Sequence, residues 1–493
     1  MSDIWKHFLV GFLTWMTSTF ATAGPALASQ QEYLSGLKVG EANGATERGA
    51  PLRLSLHQAI SLGLQENRAI RGAYVERIAQ KFDLRVEEDR FTPKVVLSGR
   101  VLREEAGGGV ARSTTLTPLV SAITPFGTRL SLGWTKQLNR SNNDPLLAQT
   151  ETAFSLIQPL LRDAGWEVNM APLRLARLNE QLYRLDVKSR VAQVITQVIR
   201  AYRELMRTQE QAAIADAALE RSRELIEINR SLIRAGRMAE FDIVQTEASA
   251  ADQELNAEEA RNQLAASQLE LLRLLSLDLT RPIEASDDLK AEQIVVNTDQ
   301  ALTIAWENQP DYLAQLIAIK QNEIRLTVAS NQKLWDLSLL AGARRGKDSL
   351  SQPSRRSDNY VGFQVDIPFG DLARNQNEVR TRSDVTLQTL QLAERRQLVE
   401  QNVSNAVRGL GTRWRQYVLA QKARDLSLKK LDIERTKLTL GRSSNFQVLS
   451  FESDLRNAEQ SRLNALLAYL NTQAELDLQL GTTLDSWKIR IDE

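Results

Sequence analysis

Apolar side chains recur at every second position in several short stretches of this chain, and at alternating three- and four-residue spacing in two very long ones. The first period places them on one face of a β-strand, and the second lays a seam along a helix. The clearest strand patterns are residues 94–101 and 152–160, with later counterparts at 336–343 and 361–369. Pro159 and Pro368 should end their strands at matching places, because proline supplies no ladder donor. A further alternating run, 128–134, follows the turn signal Thr124-Pro125-Phe126-Gly127. It either adds strands to a sheet or only lengthens a surface hairpin, and Gly107-Gly108-Gly109 reads as loop flexibility.

From Pro172 to Ala235 there is no internal proline or glycine. A helix over these ~64 residues would reach roughly 95 Å. Ile195, Val198, Tyr202 and Leu205 mark its seam, and Val403, Val407, Leu410, Trp414 and Tyr417 mark a second. Such seams need partner helices. Glu220, Arg221 and Glu224 read as solvated outer surface.

The pattern occurs twice. Each copy opens with a short helix, near 56–60 and 299–302, and continues into a second helix to about Phe91 and Leu334 before its strands and long helix. Each long helix then meets a glycine and turns. The shared tip is Gly-Arg-x-x-x-Phe-x-[Ile/Val]-[Val/Leu]-x-x-Glu, beginning at Gly236 and at Gly441. Glycine supplies a left-handed helix cap, and Ser444 or Asn445 can cap the returning helix. The expected fold class is mainly α with a small β part: duplicated long helical hairpins with coiled-coil seams, plus paired strands. The domains read as a signal peptide at 1–28, a flexible lead-in at 29–51, a first repeat at 52–282, a linker at 283–296, a second repeat at 297–482 and a tail at 483–493.

Composition narrows the function. Lys6, the apolar run 8–16 and the small-residue site Ala26-Leu27-Ala28 form an export signal, with a run too short for the ~20 apolar residues of a helical span. No later stretch is long and apolar enough either, so a membrane crossing would have to be made by strands. Lys+Arg 62 against Asp+Glu 61 leaves no basic excess for nucleic acid. Cysteine is absent, which removes disulfides, thiolate metal sites and a lipid-modified cysteine. The only histidines are His7, in the signal, and His57, so no imidazole pair serves metal or base chemistry. No cofactor and no metal are expected, and the chain does not read as an enzyme. Residues 342–348 superficially match a phosphate loop, but the spacing is wrong and Asp348 replaces the needed hydroxyl; they read as a surface loop between strands.

The export signal, the paired strands closed by Gln158-Pro159-Leu160-Leu161 and Ile367-Pro368-Phe369-Gly370, the long helices and the twofold glycine-arginine tip together resemble the TolC-like outer membrane factors of efflux and type I secretion, over about residues 52–482. The resemblance implies a homotrimer whose strands close one barrel in outer-membrane lipid and whose helices form a periplasmic tunnel. It also implies a periplasmic adaptor and an inner-membrane pump as partners. Asp242 stands at a tip aspartate of the family's entrance constriction, while the matching Gln447, and Ser450, depart from the acidic pattern, which puts cation selectivity in doubt. Arg234, Gly236, Arg237, Leu440, Gly441 and Arg442 become the adaptor-contact surface.

Blander readings stand beside these. Asp242 is also a first-turn carboxylate favoured by the helix dipole, Arg237 and Arg442 could cap carbonyls, and Phe241 and Phe446 read as hairpin packing. For the whole chain the alternatives to a conduit are a periplasmic coiled-coil adaptor or a scaffold without a pore. Nothing in the residues ranks drug, metal, polysaccharide or protein as cargo.

Overall fold

The structure is a computed structural model that describes residues 51–106, 109–141, 147–348 and 355–489. Its first described strand, β1 (Leu52–Leu54), pairs in parallel with β6 (Ile283–Ala285). Helix α1 (Leu56–Glu66) starts at a full capping box in which Ser55 accepts from the Gln58 amide and the Gln58 side chain accepts from the Ser55 amide. Asn67 caps α2 (Arg68–Glu88). Four strands follow: β2 (Lys94–Ala106), β3 (Gly109–Ile123), β4 (Arg129–Ser141) and β5 (Leu147–Pro159). Then come a short α3 (Trp166–Asn169), the 64-residue α4 (Ala171–Arg234) and the returning α5 (Asp242–Leu274).

The second copy runs α6 (Thr298–Asn308), α7 (Pro310–Gln332), β7 (Asp336–Asp348), β8 (Arg355–Asp366), the 68-residue α8 (Leu372–Thr439) and α9 (Asn445–Leu480), closing with α10 (Thr483–Ser486). Gln309 caps α7, whose first residue is Pro310, where the missing N–H costs nothing. The order of the main elements in the two copies is the same, except that the first holds two more strands and the short α3, and the second is followed by α10.

Those two strands settle the question left by residues 128–134. Strands β3 and β4 join one antiparallel sheet of six, in the order β2-β3-β4-β5-β7-β8, paired along nearly their whole length on both sides. Pairing in the β3–β4 ladder is interrupted at Pro118. There the Thr117 hydroxyl donates across to Thr135 Oγ1 at 3.3 Å. The strands outrun the alternation that announced them, because exposed polar ladders extend each hairpin beyond its apolar part. Residues 342–348, expected as a surface loop, belong to β7, and Pro368 lies past the end of β8. Gly107 and Gly108 fall outside the described residues.

The sheet meets the helices at a tightly bonded joint. Asp163, in the left-handed region at φ 62°, donates its amide to Asn331 Oδ1 at 2.7 Å, and its carbonyl accepts from Asn169 at 2.9 Å. Gly127, in the β3–β4 turn at φ +90°, is buried against the same two residues. A Cβ there would lie 2.5 Å from the Asp163 carbonyl oxygen, so only glycine fits.

Among the described residues, three apolar clusters line the helical part. The largest packs Ile195, Val198, Tyr202 and Leu205 of the predicted seam against α1, the end of α5 and Leu484 of α10. Val403, Leu410 and Tyr469 anchor the second, and Leu225, Leu431, Leu438, Val448 and Leu455 the third, near the tips. The stretch expected as a linker is pinned by two buried tyrosines. Tyr202 donates to the Leu54 carbonyl at 2.8 Å and bonds Asp287, and Tyr469 donates to the Glu292 carbonyl at 2.7 Å. The described part of the expected tail is likewise packed, with Leu484, Trp487 and Ile489 against the first cluster.

Candidate functional site: a two-faced sheet and a paired hairpin tip

The sheet gathers most of its large apolar residues on one side. Following the register outward from β5, Phe154 and Leu156 lie beside Leu132 and Leu130 of β4, then Val120 and Ala122 of β3; in the other direction they meet Ala343 and Ala341 of β7, then Asn359 and Val361 of β8. Leu97, Val101, Trp134, Leu339, Phe363 and Val365 share this face. Many of its side chains are open: Val361 is 78% exposed, Val101 77% and Phe363 71%. A hydrocarbon surface of six strands left bare is far larger than the scattered apolar residues of an ordinary surface.

The opposite face is mostly polar, with Val96, Leu119, Ile157 and Leu340 among its apolar members. Ser131 and Ser155 hydroxyls bond at 2.7 Å, Arg344 stands 3.9 Å from Glu151, and Gln364 donates to Asp366 at 2.9 Å. Here Gly342 leaves room for the Tyr360 ring, which a Cβ would meet at 2.5 Å. Each strand has 12 to 15 residues, enough to cross a bilayer when tilted. Phe126, Trp166, Trp335 and Phe369 stand exposed around the joint with the helices, as an aromatic girdle does at a membrane interface. Among the described residues no helix is long and apolar enough to cross a membrane.

At the other end of the helices the two tips are built alike. In the first, the Gly236 amide donates to the Ile233 carbonyl at 2.9 Å and the Arg237 amide to Leu232 at 2.9 Å. In the second, Gly441 donates to Leu438 at 2.9 Å and Arg442 to Lys437 at 2.8 Å. Both are Schellman caps with a left-handed glycine, at φ +65° and +71°. The arginines therefore cap through their backbone amides, which any residue but proline would do. Their side chains are not what closes the turn, and Arg234, Gly236, Arg237, Leu440, Gly441 and Arg442 are all exposed.

Asp242 is the first residue of α5 and is half-buried, and its carbonyl oxygen lies 3.5 Å from both Asn445 Nδ2 and Thr246 Oγ1. Gln447 is half-buried and donates its amide to the Ser444 cap at 3.3 Å, while Ser450 is exposed. Thus the first tip's aspartate lies against the start of the second hairpin's returning helix.

Two polar clusters that the sequence reading missed hold the hairpins together. In the first, Asn229 Nδ2 donates to Thr246 Oγ1 at 2.7 Å and to Asn445 Oδ1 at 2.9 Å, and Asn445 Nδ2 donates to Thr246 at 2.8 Å. Asn229 and Thr246 are fully enclosed. The available signal was Asn229 itself, which occupies a seam position between Leu225 and Leu232 and so specifies register, as polar core residues of coiled coils do.

The second cluster corrects the reading of Arg221 as solvated surface. The motif glutamates Glu247 and Glu452 each take an arginine from the opposite arm of their own hairpin: Arg230 reaches Glu247 at 3.3 Å, and Arg435 reaches Glu452 at 2.9 Å. Glu452 additionally takes Arg221 from the first hairpin at 2.9 Å, and Arg435 lies 3.6 Å from Glu224. Glu452 keeps only 16% of its side-chain surface exposed, against 48% for Glu247. Nearby, Glu459 stands 4.0 Å from Arg221, and burial pushes its carboxyl above the usual range against the pull of that arginine. Glu434 is held below its ordinary value by the Ser443 hydroxyl and by Lys437.

No family model and no curated protein sequence matches this chain. Solved structures do. The crystal structure of the Campylobacter jejuni CmeC outer membrane channel aligns with a TM-score of 0.67 at 16% identity, over 89% of this chain and 91% of that one. The outer membrane protein VceC of Vibrio cholerae aligns at 0.67 and 14% identity, over 86% and 96%. The open state of the Neisseria gonorrhoeae MtrE outer membrane channel aligns at 0.66 and 15% identity, over 87% and 89%. The fold is that of the TolC-like outer membrane channels.

Proposed function

We propose, from a fold shared with outer membrane channels and a sheet with one bare apolar face, that this chain is the outer-membrane conduit of an efflux or type I secretion system. The carrying observation is the two-faced sheet. Its apolar side suits lipid and its polar side suits a water-filled lumen. In the described residues β2 and β8 are edges without partners, and an open edge in hydrocarbon costs several kcal/mol per unpaired group. Closure therefore requires further copies. We take the assembly to be a homotrimer, in which β2 of one copy pairs with β8 of the next and the six strands per chain give an eighteen-stranded wall (3 × 6). Barrels of about that size enclose an aqueous channel.

The helical hairpins would extend from this barrel into the periplasm, with the paired tips at the entrance. The exposed Gly-Arg turns, whose arginine side chains the caps leave unused, are the proposed contact for a periplasmic adaptor joined to an inner-membrane pump. Passage through such a wall is passive and calls for no catalytic group. An adaptor or pore-less scaffold is disfavoured, because neither needs an extended bilayer-length apolar sheet face.

The test is recovery and conductance. The mature chain is expected in the outer-membrane fraction as a detergent-extracted trimer that forms discrete channels in planar bilayers. Recovery as a soluble monomer would overturn the reading.

Asp242 gives a second expectation. Three copies would bring three such carboxylates to the entrance, where their field would attract cations. Asp242→Ala should raise single-channel conductance and weaken cation preference together. If bilayer recordings show neither change, Asp242 is a helix-end carboxylate whose loss costs only about 0.3–1 kcal/mol.

A further inference from the structure

Among the described residues, the apolar sheet face ends in a cluster of like charges. Toward the sheet end remote from the helices, Arg103, Arg112, Lys136, Arg140 and Lys347 all belong to the apolar face, and all are exposed. Three of them are direct neighbours: Arg103 of β2 lies opposite Arg112 of β3, which lies opposite Arg140 of β4. Lys136 and Lys347 flank Thr150 in a second row. Glu105 is the one carboxylate among the described strand residues at this end of the face.

The polar face at the same end is different. There Arg344 stands by Glu151, Arg356 bonds Asp358 at 2.8 Å, and Arg100 shares its strand face with Glu104. Cations facing the lumen are thus interspersed with acids, whereas cations above the apolar belt are gathered together. Like charges placed directly across a ladder destabilise a sheet. A row of three arginines on neighbouring strands therefore implies an anionic partner that neutralises them in the assembled state.

Position identifies the partner's chemistry. The cluster follows directly on the hydrocarbon-facing belt, at the depth where lipid headgroups begin, and arginine forks match phosphate oxygens in bidentate geometry. We propose that this collar binds the phosphate groups of anionic lipids in the outer leaflet, anchoring the barrel at its external rim. The inference rests on the barrel reading above.

The experiment uses the full mature assembly in zwitterionic detergent, incubated with diphosphorylated lipid A and examined by native mass spectrometry. Wild type should retain the lipid, and Arg103→Gln with Arg112→Gln and Arg140→Gln together should lower retention by at least about tenfold, since each basic residue near an anionic surface contributes substantially. Arg344→Gln, on the lumen face, should leave retention unchanged. In lipid-free detergent the triple variant should melt higher than wild type, because its like-charge row is gone. Equal retention by wild type and triple variant, or of dephosphorylated lipid A, would overturn the proposal. So would displacement by millimolar inorganic phosphate, which would mark a free-anion site. Insertion into phosphatidylcholine vesicles separates the premises: no insertion sinks the barrel reading, whereas insertion without phosphate dependence sinks only the collar.

Discussion

Leu97→Arg and Phe363→Arg are expected to abolish stable insertion of the assembly, while Ser98→Arg and Gln364→Arg, one residue away on the same strands, leave it intact. Leu97 is 70% exposed and Phe363 71%, so neither substitution opens a cavity or overfills a core. What changes is the medium each side chain meets. An arginine on the lipid face near the bilayer midplane costs about 2–4 kcal/mol, and the cost recurs in every copy of the assembly. The alternation of the strand turns Ser98 and Gln364 to the polar face, where Ser98 stands beside Thr117 and Gln364 beside Ser338. The readout is heat-modifiable trimer in the outer-membrane fraction. Equal behaviour of the two sets would mean that the apolar face does not meet lipid.

The second large effect is expected at the tip. Glu452→Ala removes the carboxylate shared by Arg221 and Arg435, whose side chains keep 21% and 26% of their surface exposed. A fully dry pair broken in this way costs about 3–5 kcal/mol, and partial exposure brings the expectation to about 2–3 kcal/mol. The loss falls on the junction between the two hairpins. Hydrogen exchange should rise in the tip segments of α4, α8 and α9 with the sheet unchanged, and single-channel conductance should increase as the tips part. Glu247→Ala is the matched control. It removes the equivalent motif glutamate, but that pair is half exposed and confined to one hairpin, so less than about 1 kcal/mol is at stake. If the two variants behave alike, Glu452 does not join the hairpins.

The tip motif shows how far local sequence reaches. Gly236 and Gly441 announce their turns because a left-handed cap is a property of one residue and its neighbours, and both adopt it. The repeated glutamate was visible as a pattern, yet its meaning was not. Glu247 and Glu452 occupy the same place in the same motif, and only the packing of the second hairpin against the first gives Glu452 an additional arginine and a drier setting. Arg221 was misread for the same reason: within its own helix it lies among Glu220 and Glu224 like any solvated residue, and its partner is 231 positions away.

The sequence by itself determined the periods of the elements, the duplication, the glycine caps and the long seams, because each depends on spacing within one helix or strand. Ile195, Val198, Tyr202 and Leu205 are buried as that spacing requires. The tertiary structure alone decided that β3 and β4 enter the sheet, since alternation fixes which side a residue takes and says nothing about which strand lies beside it. Strand register likewise decided that Arg103, Arg112 and Arg140 share one row, and the packing of one hairpin on the other decided that Asn229 meets Asn445. These are relations between segments far apart in the chain, and they exist only once burial of the shared apolar surfaces has brought those segments together.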